Sequence, residues 1–404
     1  MSSNSSFRTY GYRWMILAVF MFAVFFNQLL WITFAPITVN AAEYYNVSDL
    51  SIGLLSMSFM IAYLFVSIPA SWVIDTYGFR IAVSIGALLT GVFGIMRGIA
   101  GNNYVMVMLA QVGIAIGQPF ILNAVTKVAA RWYPIEERAT ASGLGTLAIY
   151  IGILAGMALT PPLVLMMGMK QMLLWYGAGS MVSAAIFILA AREYPATPPG
   201  PPELEERSLM FDGLKQAMRN RNFLMLLFIF FIGLGVFNAV STWIEDILRP
   251  RGFTIDQAGY AGGIMILGGV IGAVILPAIS DKKRKRVPFI IISLAGSIPA
   301  LLGLTYATHL AGLMTAAFCL GFFLLSSGPI GFQYGAEIAR PAPEGTSNGM
   351  LLLMGQISGI AFIFGMDSFK VAATGSMTPS LNILIGLMVL SLIAAGGLKE
   401  SGLL

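Results

Sequence analysis

The sequence predicts an all-α membrane protein of twelve transmembrane helices, arranged as two six-helix bundles. Three observations carry that expectation. Of the 404 residues, 57% are hydrophobic and only 10% charged, with a mean hydropathy of +0.83, whereas soluble domains carry about a quarter charged residues. The apolar runs are each about 20 residues or longer, the length a helix needs to cross hydrocarbon and well beyond that of a barrel strand. The runs also fall six and six around one polar, proline-rich segment.

In chain order the expected spans cover residues 13–38, 51–74, 80–100, 103–130, 139–166, 171–191, 222–247, 255–280, 287–308, 310–338, 346–370 and 377–398. The first run is long enough to span and lacks a small-residue cleavage site, so it is expected to stay as a helix and not to act as a removable signal peptide. Between the sixth and seventh spans, the stretch EYPATPPGPPELEE opens in a form that no regular helix tolerates. After it, Leu209, Met210, Leu214, Ala217 and Met218 fall on one helical face, which suits a short helix lying along the membrane surface. The expected organisation is a bundle over 1–192, a linker over 193–221 and a second bundle over 222–404.

Orientation follows from the basic residues, because positive loops stay cytoplasmic. With the N-terminus inside, all but five of the 23 Lys and Arg residues face the cytoplasm, the exceptions being Arg97, Lys170, Arg249, Arg251 and Lys370 in opposite loops. Both termini are therefore expected on the cytoplasmic side of the cytoplasmic membrane. The net charge of +5 is this topology signal and implies no nucleic-acid partner. The run DKKRKR, Asp281 to Arg286, also has the composition of an anionic-lipid contact. The single cysteine, Cys319, and single histidine, His309, leave no material for a disulfide, a Cys/His metal centre or a buried Ser-His-Asp triad. No cofactor, metal or enzymatic activity is expected; the expected partners are membrane lipids and a small-molecule substrate.

The two halves repeat. PIEERAT (134–140) carries Glu137 and PAPEGTS (341–347) carries Glu344, 207 residues later. SWVIDTYGFR (71–80) carries Asp75 and PAISDKKRKR (277–286) carries Asp281, 206 residues later. Two separate loops sharing one offset imply a duplicated six-helix unit, as in carriers whose halves are related about the membrane normal. A carboxylate at a helix end can meet the positive N-terminus of another helix. Asp75, Arg80, Glu137, Arg138, Asp281, Glu344 and Thr346 are accordingly expected to form a cytoplasmic gate, with Thr140, Ser142, Thr346 and Ser347 offering N-cap hydroxyls. The plainer alternative is that Asp75 and Asp281 end their helices and face water.

The twelve spans, the six-plus-six split and the SWVIDTYGFR loop resemble the major facilitator superfamily, whose loop pattern is G-x-x-x-D-R-x-G-R-K. Asp75, Gly78 and Arg80 match that pattern, whereas Ser71, Thr76 and Phe79 depart from it. Longer stretches are similar to one branch, the feline leukaemia virus subgroup C receptor-related transporters: WITFAPI (31–37), LSMSFMIAY (55–63), PASWVIDTYG (69–78), GQPFIL (117–122), GVFNAVST (235–242), GFFLLSSGPIGFQYGAEIARPAPEGTSNG (321–349) and GQISGI (355–360). The resemblance implies a carrier of choline and ethanolamine, with haem an older assignment within the family. It also implies a site made of a Trp in the first span, a Gln in the fourth, a Tyr in the seventh and a Gln in the eleventh. Trp31, Gln118 and Gln356 match three of these, and Asn238 stands where the family has the aromatic.

By the superfamily resemblance, spans one, four, seven and ten surround a central cavity. Trp31 and Asn238 stand 207 residues apart, and Tyr150 and Gln356 stand 206 apart, so candidate polar positions pair across the duplication. Asn27 lies one turn from Trp31, and Asn123, Tyr150, Gln333 and Tyr334 are further lining candidates. The alternative for each amide is a hydrogen bond between helices, at about 0.6 kcal/mol. Trp243, Glu245 and Asp246 are expected at the outer end of span seven, as a vestibule or an anchor. The middles of the spans hold no Asp, Glu, Lys or Arg, which disfavours a buried proton relay or a multiply charged anion. A quaternary ammonium over an aromatic face gains about 2 kcal/mol, so losing one of two faces weakens it about thirtyfold. Asn238 favours a primary amine or a neutral polar solute instead. The expected function is secondary active or facilitative transport of a small neutral or singly cationic organic solute by alternating access; the alternative is a non-transporting receptor or scaffold on the same fold. Gly152/Gly156 and Gly268/Gly272 read as close packing inside a monomer.

Overall fold

The structure is a computed structural model that describes residues 8–199, 215, 217–339 and 344–401. The side chains of Asp75, Arg138, Glu344 and Thr346 lie outside the described part, as does the expected linker helix through Leu209, Met210 and Leu214. Among the described residues, twelve helices are long and apolar enough to cross a membrane: Tyr12–Tyr45, Asp49–Ile74, Phe79–Ile99, Tyr104–Trp132, Ala141–Met167, Met169–Ala190, Arg221–Thr242, Ile255–Lys283, Val287–Tyr306, Leu310–Ile338, Ser347–Ser368 and Thr378–Gly396. Large apolar side chains standing free, such as Leu189 at 84% and Ile68 at 79% exposure, mark faces suited to hydrocarbon and not to water.

Several expected boundaries are corrected, each for a local reason. The first span does not stop at residue 38. Its helix Tyr12–Ile32 passes through a 3-10 turn, Ala35–Ile37, and resumes as Thr38–Tyr45. Pro36 lacks the N–H that a continuous helix would need, and Thr33 Oγ1 donates back to the Leu29 carbonyl at 2.8 Å. The fourth span divides into Tyr104–Leu122 and Val125–Trp132, just after Pro119. The seventh divides at Trp243 into Arg221–Thr242 and Ile244–Leu248. The fifth helix begins at Ile135 and the eleventh at Glu344. Thr140, Ser142, Thr346 and Ser347 therefore stand at positions inside helices, not at the positions that precede them. Arg97, expected in a loop, is in the last turn of helix Phe79–Ile99 and fully buried.

The chain divides into two compact units, Met1–Phe34 with Asn40–Leu204, and Ala35–Val39 with Glu205–Leu404. Within the first unit, span one packs on five, two on four, three on four and three on six. Within the second, seven packs on eleven, eight on ten, nine on ten and nine on twelve. Each pairing in one unit has its counterpart six spans on in the other, which is the duplication seen in three dimensions. A Cβ at Gly152 would strike the Phe25 carbonyl, and one at Gly268 or Gly272 the carbonyls of Phe318 or Phe322. These small-residue stripes thus pack helices inside their own units, as expected.

The duplication extends to a feature not foreseen. At the start of the third span the backbone N–H groups of Phe79 and Arg80 donate to Glu193, at 3.3 and 2.8 Å. At the start of the ninth, those of Arg286 and Val287 donate to Glu400, all at 3.1 Å. Glu193 and Glu400 are 207 residues apart, as are Phe79 and Arg286. The first N–H groups of a helix have no partner within it, and a carboxylate there also meets the positive end of the helix dipole. Each unit thus ties the end of its sixth helix to the start of its third. Gly78 permits the first tie, since its φ of +89° suits glycine and a Cβ there would run into the Glu193 carboxyl group. Glu193→Ala is expected to cost about 1 kcal/mol, read as a drop of about 2 °C in the unfolding temperature in detergent. Gly78→Ala should cost more, because it strains the backbone and displaces the same carboxylate.

Candidate functional site

In the first unit the candidate residues come from spans one, four and five. Their amides have different fates. Asn27 is fully buried; its Nδ2 donates to Thr90 Oγ1 at 3.1 Å and its Oδ1 accepts from Gln28 Nε2 at 3.2 Å. The first bond joins span one to span three and the second stays within span one, so both groups are already used. Asn123, at the break in span four, accepts from the Tyr63 hydroxyl at 2.8 Å and donates to Ser67 Oγ and Ser71 Oγ at 3.0 and 3.2 Å. It stitches the interrupted helix to span two, the service a broken helix needs in hydrocarbon.

Trp31 is different. Its indole N–H donates to the Ser56 carbonyl at 3.2 Å, which fixes the ring plane of a side chain only 7% exposed. Gln118 is equally buried, yet among the described residues no hydrogen bond is made by its side-chain amide. Its amide atoms keep some accessible surface and are absent from the fully enclosed unpaired atoms. Tyr150 is half-buried and its hydroxyl likewise lacks a hydrogen bond among the described residues.

In the second unit the structure brings two candidates side by side. Asn238 Nδ2 donates at 3.1 Å to the carbonyl of Gly355, the residue before Gln356. That bond leaves the Asn238 Oδ1 as an acceptor. Gln356 is half-buried, and its side-chain amide makes no hydrogen bond among the described residues. Gln333 is exposed and donates to Glu337 Oε1 at 3.2 Å, and the Tyr334 hydroxyl donates to the Lys399 carbonyl, so both serve the polar end of span ten. Trp243 is fully buried, its N–H on the Ile363 carbonyl at 3.1 Å. Glu245 and Asp246 are buried, Glu245 accepting from the Val39 N–H at 2.7 Å and Asp246 pairing with Lys370 and Arg249 at 3.0 and 3.1 Å. They anchor the end of span seven.

The described gate candidates form contacts inside their own units. Glu137 pairs with Arg13 at 3.0 Å, and the Tyr133 hydroxyl donates to the Arg13 carbonyl at 3.0 Å. Burial pushes the Tyr133 phenol up to about 12, so it stays protonated as a donor. Arg80 contributes its backbone N–H to Glu193 while its side chain is exposed. Asp281 pairs with Arg286, whose Nε lies 3.2 Å from Glu337 Oε1. Burial works against the Arg286 charge, but Asp281 and Glu337 outweigh it and hold its pKa above the usual value. Glu337, Glu193 and Glu400 were not among the sequence candidates. The two glutamates carry a legible signal, the same 207-residue offset, whereas Glu337 is recognisable only once Arg286 is seen to turn inward.

Comparison with known proteins agrees with this architecture. The family model described as Major Facilitator Superfamily matches residues 20–363. Solute carrier family 49 member A3 of Danio rerio is 30% identical over 392 residues, spanning 93% of this chain and 81% of that protein. The choline/ethanolamine transporter flvcr2a of Danio rerio is 28% identical over 383 residues, spanning 89% and 81%. A crystal structure of a bacterial homolog to the human lysosomal transporter Spinster, inward-facing and unoccupied, superposes with a TM-score of 0.74 at 15% identity, covering 96% of each chain. At that identity the likeness concerns the fold alone.

The different fates of the amides yield a stability contrast. Asn27→Leu should cost about 0.6 kcal/mol and Asn123→Leu about 2 kcal/mol, on roughly 0.6 kcal/mol for each interhelical hydrogen bond lost. Gln118→Leu should leave stability unchanged or raise it. Thermal unfolding of the three purified variants checks the ranking.

Proposed function

Because the chain belongs to the Major Facilitator Superfamily and is a membrane transporter of that family, we propose that it carries a small neutral or singly cationic organic solute, an amine or amino alcohol of the choline and ethanolamine type. Alternating access of the two units carries the solute across the cytoplasmic membrane, with both termini on the cytoplasmic side as the basic loops indicate. The residues we propose to bind the solute are Trp31, Gln118 and Tyr150 of the first unit and Asn238 and Gln356 of the second. Asn27, Asn123 and Gln333 are left out because their amides are already used.

One observation carries the reading: Gln118 and Gln356 hold side-chain amides in apolar spans with no protein partner among the described residues, in a chain whose span middles hold no Asp, Glu, Lys or Arg. Leaving an amide unsatisfied in hydrocarbon is costly, and a ligand with donors and acceptors removes that cost. The immobilised Trp31 indole offers a face to a cation. Asn238 Oδ1 can accept from an ammonium N–H, which a primary amine supplies and a quaternary ammonium head lacks. The similarity to choline/ethanolamine transporters supports the same solute class. Within that class, Asn238 tilts the preference toward the ethanolamine side.

The test is saturable uptake of labelled ethanolamine and choline into proteoliposomes. Trp31→Ala should abolish it without unfolding the protein, and Trp31→Phe should retain a measurable part. Asn238→Tyr should strengthen choline affinity by roughly thirtyfold, the worth of one added cation-π face, and ethanolamine by less, because the Asn238 acceptor is lost. Uptake indifferent to both positions would remove them from the site.

A further inference from the structure

One charged side chain in the first unit has no charged partner among the described residues. Arg97 is fully buried, and among the described residues no carboxylate pairs with it. Its Nη1 donates to the Leu30 carbonyl at 2.9 Å and to Gln111 Oε1 at 2.8 Å, and its Nη2 to Thr33 Oγ1 at 3.2 Å. The guanidinium lies 5.1 Å from the Phe34 ring centroid. Every one of these partners is neutral, so none of the described residues compensates the charge. An ionisable group in this setting marks a functional site more often than a packing element.

The duplication supplies a control. The positions 207 residues after Leu30, Thr33, Arg97 and Gln111 are Phe237, Val240, Leu304 and Phe318. Leu304 is as fully buried as Arg97. The architecture is thus satisfied by leucine at this place, and packing does not call for a guanidinium.

The polar atoms left over around Arg97 share one property. Among the described residues, Arg97 Nε and Gln111 Nε2 are buried N–H groups with no acceptor, and the Tyr45 hydroxyl is buried with no partner. Tyr45 packs edge-on against Phe34, the ring under the guanidinium, with centroids 6.2 Å apart. Donors gathered without acceptors around an unpaired positive charge suit an anion. We propose that the end of the first unit bounded by Arg97, Gln111 and Tyr45 is a binding site for a small monovalent inorganic anion of the halide type, independent of the organic solute. Because the Arg97, Gln111 and Tyr45 atoms are fully enclosed, the anion enters when the helix ends around them part, and its binding favours one conformation of the carrier over the other.

The experiment uses the full-length protein in detergent, with sodium chloride or sodium bromide exchanged for sodium gluconate at constant ionic strength. The unfolding temperature should rise saturably with chloride and bromide and stay flat with gluconate, and radioactive chloride should bind with matching affinity. Arg97→Leu, the residue found at the duplicated position, should remain folded and lose both effects. Tyr45→Phe, which removes one hydroxyl, should weaken apparent chloride affinity by roughly tenfold, about one hydrogen bond to a charged group, and it keeps the test decisive should Arg97→Leu fail to fold. Equal unfolding temperatures in chloride and gluconate overturn the site, as do chloride effects that persist unchanged in Arg97→Leu or Tyr45→Phe.

Discussion

Hydrocarbon offers no water to a stray N–H or carbonyl, and this structure follows from that constraint. It forces the chain into helices wherever the chain crosses, and it demands a partner wherever a helix is interrupted. Where span four breaks after Pro119, Asn123 collects Tyr63, Ser67 and Ser71. Where span one turns at Pro36, Thr33 and Thr38 return their hydroxyls to the Leu29 and Ala35 carbonyls. The same rule makes exceptions informative. An amide or guanidinium left without its complement in such a place points to something the protein binds.

The duplication organises the rest. Both units pair their helices in one scheme, and both fasten the third helix of the unit with a glutamate from the end of the sixth, Glu193 or Glu400. Against this shared frame the differences stand out. Trp31 answers to Asn238 and Arg97 to Leu304, so each unit keeps the scaffold while varying the side chains it carries. The shared positions hold the helices together, and the divergent ones carry the proposed chemistry.

The twelve spans were legible in the sequence because hydropathy over about 20 residues is a local property, and the repeat was legible because two loops kept one offset. The breaks at Thr33 and Asn123 were not, since a proline in an apolar run gives no sign of which neighbouring hydroxyls will take over its hydrogen bonds. Arg97 was assigned to a loop for a related reason: a charge near a span end looks solvated until Leu30, Thr33 and Gln111 are seen to enclose it. The candidate site was legible as a set of residue types through family resemblance, but Asn27 and Gln118 look alike in sequence. Only the position of Thr90 separates an amide that joins helices from one with nothing to bind.

Counterflow tests the central claim most directly. Proteoliposomes loaded with unlabelled ethanolamine are diluted into a trace of labelled ethanolamine, and the internal label is followed over time. An alternating-access carrier for this solute class predicts transient accumulation of label above equilibrium, driven by exchange through one shared site. Label that only equilibrates passively, at the rate of protein-free liposomes and with the protein verified as folded, would contradict the account.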